Sequence, residues 1–282
     1  MKAEPRFLNQ PKHFWANVRL ISAKVGYTIK RRGQILVPSL DQMLAALKAR
    51  DLTSDHIMDA RRNPTALGTS LCAYFQYRAD VLNGFVEAQL MDAPAAKQLY
   101  AELCATCKPR FPVPMNKQKG RKRKPAYFTG MVNLLIEAHT RGWPCDFNPR
   151  SLTSVTRGGA PLRTLARWVD GAFPSPVNPI AVWEIKEYYY TTTFGSRVAD
   201  GVYETLLDGM EIEELREHER YDIKHYLFVD SHYTWWECGR SYLCRIVDML
   251  HMGCIDEVLF GREVVDRLPA LAKEWLAIAA KR

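Results

Sequence analysis

The feature that most constrains the fold is the alternation of predicted strands and helices from Gly130 onward. Apolar periodicity predicts helices over residues 130–140, 198–217, 241–252 and 264–280, and strands over residues 146–155, 164–169, 180–190, 225–229 and 256–260. A group of strands followed by alternating helices and strands implies a mixed sheet flanked by helices. The expected fold class of this part is therefore α/β.

Residues 1–107 have a different pattern, in which apolar residues recur at helical spacing. One helix is predicted over residues 40–49 with Ser39 as its N-cap, a second over residues 71–90, and a third over residues 94–103 after Asp92. The sequence therefore predicts a mainly helical N-terminal region.

In the long helix over residues 198–217, the predicted inward positions are Val202, Leu206, Met210 and Leu215.

A strongly basic segment joins these two parts. Residues 108–124 hold eight basic residues, three prolines and no acidic residue. Such a stretch buries too little apolar surface to fold alone, so we expect a mobile linker over residues 108–125 between a helical region, 1–107, and an α/β domain, 126–282. The segment is either a solvated connection or an arm that contacts phosphates.

The composition indicates an ordinary globular protein, since 47% of its 282 residues are hydrophobic, 25% are charged and the net charge is +8. No apolar run approaches the roughly 18 residues that a membrane-spanning helix needs, and residues 1–10 lack the apolar core of a secretory signal. Seven cysteines, an odd number, favour reduced thiols. We therefore expect a cytoplasmic protein that does not contact membranes.

Three charged residues fall on neighbouring predicted strands. Asp170 ends the second strand, and Glu184 and Lys186 lie in the third, where a period of two places them on one face and Ile185 on the other. If the two strands pair as an antiparallel hairpin, Asp170 approaches Glu184. Two adjacent carboxylates repel unless a hard cation such as Mg²⁺ lies between them. A neighbouring lysine can stabilise charge that develops on a phosphodiester, or act as a base if its pKa is depressed.

This arrangement of Asp170, thirteen intervening residues, then Glu184-Ile185-Lys186 resembles the motif of the PD-(D/E)xK nuclease superfamily. The surrounding order of helices and strands is similar to the core of that superfamily, and among its members the chain most resembles a type II restriction endonuclease. The resemblance covers the part from Gly130 onward. Val169, rather than proline, precedes the aspartate.

The resemblance implies that Asp170 and Glu184 bind Mg²⁺ and that Lys186 assists the attacking water. Members often add an acid from the preceding helix, and Glu137 occupies a matching place. Candidate DNA contacts are the basic residues of the linker and the hydroxyl-rich run after the third strand, namely Lys117, Lys119, Arg121, Lys122, Arg123, Lys124, Tyr188, Thr191 and Thr193.

Each residue also has an ordinary structural interpretation. Asp170 precedes Gly171 in a dipeptide typical of turns, Glu184 and Lys186 suit an exposed cross-strand charge pair, and Glu137 suits a solvent-facing helix position. These interpretations work separately but do not explain why three such residues fall together.

The sequence thus predicts a Mg²⁺-dependent endonuclease that cuts double-stranded DNA at a specific site. A homodimer is expected, because cutting both strands of a twofold-related site requires two active centres. The helical region would contact DNA, form the dimer, or both. One alternative is a repair or recombination nuclease specific for DNA structure or modification. Another is a DNA-binding protein with a decayed nuclease core, and a more distant one is a zinc-dependent regulator in which Cys104 and Cys107 bind the metal.

Overall fold

A computed structural model describes residues 1–29, 33–191 and 194–282. Its helices are α1 Lys12–Val25, α2 Leu40–Lys48, α3 Ala66–Val81, α4 Glu87–Gln89, α5 Ala93–Cys107, α6 Tyr127–His139, α7 Ser196–Glu219, α8 Arg240–His251 and α9 Glu263–Ala279. Its strands are β1 Thr28–Ile29, β2 Gln34–Ile35, β3 Ser154–Arg157, β4 Ala160–Thr164, β5 Gly171–Phe173, β6 Ala181–Glu187, β7 Lys224–Asp230 and β8 Glu257–Phe260. Within these ranges, no helix combines the length and apolarity needed to cross a membrane.

The predicted α/β class is confirmed by a mixed four-stranded sheet in the order β5-β6-β7-β8. Strand β5 is antiparallel to β6, while β6, β7 and β8 are mutually parallel. The parallel strands are nearly continuous runs of buried residues, as expected for strands covered by helices on both faces.

The two faces of this sheet pack against different helices. On one face, Trp183 and Phe228 pack with α6 and α9, and the Trp183 ring stacks on Trp275 at a centroid distance of 5.7 Å. On the other face, Leu227 and Val229 pack with α7 and α8. The side chains of β6 alternate between these two helical layers, because successive residues of a strand point to opposite faces.

The helices predicted in both halves are confirmed, most of them with small shifts at their ends. The helix predicted over residues 71–90 begins at Ala66 and is interrupted by a π-helical segment over Leu82–Val86. Helix α2 begins after Ser39, whose hydroxyl accepts a hydrogen bond from the Gln42 N–H in a capping box. Helix α5 is likewise capped by Asp92. In α7, the predicted inward positions Val202 and Leu215 are buried, but Met210 is exposed, which corrects that position. Between these apolar positions, the inward face of α7 also buries Thr205 and Asp208, which apolar periodicity does not reveal.

The first two predicted strands are wrong in their placement. Residues 146–155 and 164–169 are largely irregular, and the strands in this region are β3 and β4, which form a separate hairpin around Gly158 and Gly159. Both glycines have positive φ, as a tight hairpin turn requires. Asp170 therefore does not end a strand; it directly precedes β5.

Gly171 also has a different role from the turn that the Asp-Gly dipeptide suggested. It pairs with Trp183 across the sheet, and a Cβ at this position would lie 2.1 Å from the Trp183 ring. The glycine therefore admits the indole ring against the strand backbone. As a result, Asp170 lies at the entrance of β5, beside β6.

A buried ion pair joins the N-terminal helical region to the α/β part. The Arg78 guanidinium on α3 lies 3.1 Å from both carboxylate oxygens of Asp248 on α8, and the Tyr74 hydroxyl donates to the same carboxylate at 2.6 Å. All three side chains are buried. The two halves of the chain are therefore linked through a buried pair of opposite charges.

Candidate active site

Strand pairing brings Asp170 to β6 in two ways. Its backbone N–H donates to the Trp183 carbonyl at 3.0 Å, and its Oδ2 accepts from the Ile185 N–H at 2.9 Å. The side chain thus extends the hydrogen-bond ladder by one position beyond β5. The carboxylate is thereby held beside the Glu-x-Lys segment. The antiparallel partner of β6 is β5, directly after Asp170, and not the strand predicted over residues 164–169.

Glu184 and Lys186 lie on the same face of β6, as strand periodicity predicts. The Lys186 Nζ is 2.7 Å from the Glu184 Oε2, and Glu184 is 2% exposed and Lys186 6% exposed. They are therefore not the exposed cross-strand pair that an ordinary structural role suggested. Ile185, expected in the core on the other face, is only partly buried.

Burial and mutual charge perturb all three groups. Burial raises the pKa of Glu184, and the nearby Asp170 charge adds to this effect against the lowering by Lys186. Burial alone would raise the pKa of Asp170 and lower that of Lys186, but nearby opposite charges outweigh it. Lys117 and Lys186 leave the pKa of Asp170 below its usual value. Glu184 and Asp170 raise the pKa of Lys186. Lys186 is therefore an ammonium at neutral pH, which favours charge stabilisation over action as a base.

Three further charged residues that the sequence did not single out surround this group. Arg167 donates from Nη1 to the Asp208 carboxylate at 2.7 Å and from Nη2 to the Glu204 carboxylate at 2.8 Å, and it lies 4.0 Å from Glu184. Asp208 is fully buried, and this burial, with the nearby Glu184 charge, raises its pKa to about 7. The available signal was the spacing of four between Glu204 and Asp208 on one helix, which places both on one face of α7.

The basic segment closes into a loop over the site rather than forming a simple connection. The Asn116 N–H donates to the Lys124 carbonyl at 2.9 Å, and the Ala126 N–H donates to the Pro114 carbonyl at 2.8 Å. These bonds fold residues 114–126 back on themselves, and we call this segment the basic loop. From it, the Lys117 Nζ reaches the Asp170 Oδ1 at 2.8 Å.

The remaining candidate DNA contacts fall into three groups. The basic-loop residues are all exposed, namely Lys119, Arg121, Lys122, Arg123 and Lys124. Tyr188 is half-buried beside Lys186 and its ring packs on Trp235, and Thr191 is partly exposed. Thr193 lies outside the described residues. The exposed cations therefore lie on the segment that also reaches Asp170.

Glu137 is not brought together with the other predicted ligands. It lies on α6, on the face of the sheet that Trp183 occupies, and pairs with Arg110 at 3.4 Å. Because adjacent residues of a strand point to opposite faces, Glu184 is directed away from α6. Thus Glu137 is a partly exposed helix carboxylate with a surface partner, and its assignment as a ligand is corrected.

The residues present fit a hard divalent cation bound mainly by two carboxylates. The Glu184 Oε1 is buried and has no hydrogen-bond partner among the described residues, and an unpaired buried oxygen of this kind is costly unless something binds it. Over the same ranges, no group of three or more His, Cys, Asp or Glu side chains is arranged to hold a metal. Mg²⁺ does not require such a group, since it retains several waters and is often bound by one or two carboxylates.

A second acidic pair lies at the carboxyl ends of β6 and β7, on the face of the sheet opposite Glu184 and Lys186. Glu187 and Asp230 are register partners in the sheet. Burial raises the pKa of Glu187 to about 7 and that of Asp230 to about 8, although backbone N–H groups bind both carboxylates. Asp230 accepts from the Met91 N–H at 2.7 Å and from the Tyr189 hydroxyl.

Stability is therefore expected to fall as pH rises from about 4 to about 8. Over this range the folded protein retains a proton on Asp230, whose pKa is about 8 rather than 3.8, whereas the unfolded chain has lost it. Replacing Asp230→Asn should make the decline shallower, as measured by urea unfolding at several pH values. The exposed substitution Asp41→Asn is the control, and an unchanged slope in Asp230→Asn would contradict the expectation.

Family comparisons identify two matched ranges. Residues 91–275 match the model described as Domain of unknown function (DUF7687), and residues 1–85 match the model described as Domain of unknown function (DUF7690). No curated protein and no solved structure matches the chain. Asp170, Glu184, Lys186 and Lys117 all lie within the larger matched range.

Proposed function

We propose that this chain, which belongs to the family described as Domain of unknown function (DUF7687), is a Mg²⁺-dependent endonuclease that acts on double-stranded DNA. The observation that carries this proposal is the convergence of Asp170, directly before β5, with Glu184 and Lys186 on β6. Glu184 and Lys186 are buried and Asp170 is partly buried, and the three charges interact with one another beside an exposed basic loop. A solvated surface cluster would lack both the burial and the unpaired oxygen of Glu184.

The finer fold assignment is part of this proposal. A mixed sheet whose antiparallel edge strand begins after Asp170, and whose next strand carries Glu-x-Lys, is similar to a PD-(D/E)xK core with helices on both faces. The hairpin β3–β4 stands apart from this sheet and is an addition to such a core.

Each residue would have a separate task in the reaction. Asp170 and Glu184 would hold the cation, and bound Mg²⁺ would stabilise charge that develops on the attacked phosphate. Lys186 would keep a positive charge beside the same phosphate, because its pKa is raised and its ammonium is fixed by Glu184. Arg167 would hold the acids of α7 neutralised beside the site.

The exposed cations of the basic loop would bind the DNA backbone on either side of the cut. When a cationic side chain neutralises a phosphate, counterions are released from the DNA. The affinity gained in this way is independent of base sequence and weakens with added salt. We further propose cleavage at a specific sequence by a homodimer, as in type II restriction endonucleases, since each protomer would supply one centre for one strand.

Digestion of plasmid and phage DNA tests this function. With Mg²⁺, we expect discrete fragments, and we expect none when EDTA removes the cation. Sequencing of the fragment ends would give the recognised sequence. Cleavage confined to branched or modified DNA would support the alternative repair-type nuclease, whereas no cleavage of any of these substrates with Mg²⁺ or Mn²⁺ would contradict the proposal.

A further inference from the structure

Lys117 donates a hydrogen bond to one of the two carboxylate oxygens of Asp170. The Asp170 Oδ2 accepts a hydrogen bond from the Ile185 N–H at 2.9 Å, so β6 fixes the orientation of the carboxylate. The other oxygen, Oδ1, accepts from the Lys117 Nζ at 2.8 Å. A cation that binds Asp170 through Oδ1 therefore competes with this ammonium, because two positive charges at the same oxygen repel each other.

The position of Lys117 is tied to the rest of the basic loop through its neighbour Asn116. The Asn116 side chain accepts from the N–H groups of Gln118 at 3.3 Å and Lys124 at 3.1 Å, and donates to the Lys122 carbonyl at 3.1 Å. A DNA backbone that binds the exposed cations of the basic loop therefore contacts the same hydrogen-bonded loop that carries Lys117.

We propose that Lys117 is a positioning residue that couples DNA binding to cation binding, an inference that rests on the proposed nuclease function. Without DNA, Lys117 remains on Asp170 and weakens cation binding there. When phosphates bind the basic loop, Lys117 exchanges its carboxylate partner for a phosphate, and Asp170 becomes free to bind Mg²⁺. Because linkage is reciprocal, the cation strengthens DNA binding by the same factor.

The exposure of the pair sets the size of the effect. The Lys117 side chain is 81% exposed and the Asp170 side chain 21% exposed, so water competes with the contact and the pair is weak. A contact that is closed in most, but not all, molecules lowers the apparent affinity of the cation by about three- to tenfold. The contact therefore adjusts affinity and does not block the site.

The test measures Mn²⁺ binding by the free protein, using the electron paramagnetic resonance signal of unbound Mn²⁺. We expect Lys117→Met to bind Mn²⁺ about three- to tenfold more tightly than the wild type. The matched control Lys119→Met removes the same charge from the same loop without touching Asp170, and should change the affinity less than twofold.

A second measurement follows the coupling to DNA. In a Lys186→Gln background, chosen to prevent cleavage, Mn²⁺ should strengthen the binding of a fluorescent 20-base-pair duplex, as detected by anisotropy. Adding Lys117→Met should reduce this strengthening by about the same three- to tenfold.

The outcomes separate this inference from the function beneath it. Equal or weaker Mn²⁺ binding by Lys117→Met, in a protein that cleaves DNA, would overturn the role of Lys117 and leave the nuclease proposal standing. A wild type that neither binds Mn²⁺ nor cleaves DNA would overturn both.

Discussion

Replacing Asp170→Asn is expected to lower the rate of DNA cleavage by about 10³-fold, because the variant loses one of the two carboxylates proposed to hold the cation. The amide oxygen can still accept the hydrogen bond from the Ile185 N–H, so the strand pairing should persist. DNA affinity measured without a divalent cation should not fall, since the exposed cations of the basic loop are unchanged. The measurements are single-turnover cleavage with saturating Mg²⁺ and DNA binding by anisotropy.

The matched control for this experiment is Glu137→Gln. Sequence reasoning placed Glu137 among the metal ligands, whereas the structure places it on the opposite face of the sheet beside Arg110. We expect it to cleave at nearly the wild-type rate. Undiminished cleavage by Asp170→Asn would reject the proposed site, and a large loss in Glu137→Gln would reject the placement of that acid.

Replacing Asp248→Ala should destabilise the protein by about 3–5 kcal/mol, because it leaves the buried Arg78 guanidinium without its counter-charge. The Tyr74 hydroxyl loses its acceptor in the same change. The loss is expected in the free energy of unfolding from urea denaturation, with the site residues untouched.

Two variants define the cause of this loss. Asp80→Ala removes an exposed acid from the same helix as Arg78, and should change stability by less than about 0.5 kcal/mol. The double replacement Arg78→Met with Asp248→Leu removes both charges, and should recover much of the stability. A loss in Asp248→Ala no larger than that in Asp80→Ala would show that the ion pair does not join the two halves as described.

The elements that were predicted well are those whose information is local. Apolar periodicity located α7, α8 and α9, and Ser39 and Asp92 marked the starts of α2 and α5. The alternation of side chains along β6 placed Glu184 and Lys186 on one face without reference to any other strand.

The poorly predicted elements depend on distant partners. Strand β5 is three residues long, and it is a strand because Gly171 admits the Trp183 ring and pairs with β6. Its own sequence carries too few residues for a periodicity to be recognised. The polar positions on the inward face of α7 were missed for a related reason, since the buried Asp208 pairs with Arg167, which is distant along the chain.

The sequence by itself thus determined the α/β class, the Asp…Glu-x-Lys set and the basic character of residues 108–124. Only the tertiary structure decided which acids meet: it brought Asp208, Glu204 and Arg167 to the set, directed Glu137 away from it, and folded the basic loop so that Lys117 reaches Asp170. The physical reason is range. Backbone periodicity acts over a few residues, whereas charge pairing and burial join residues that are distant along the chain and become neighbours only when the sheet and helices pack.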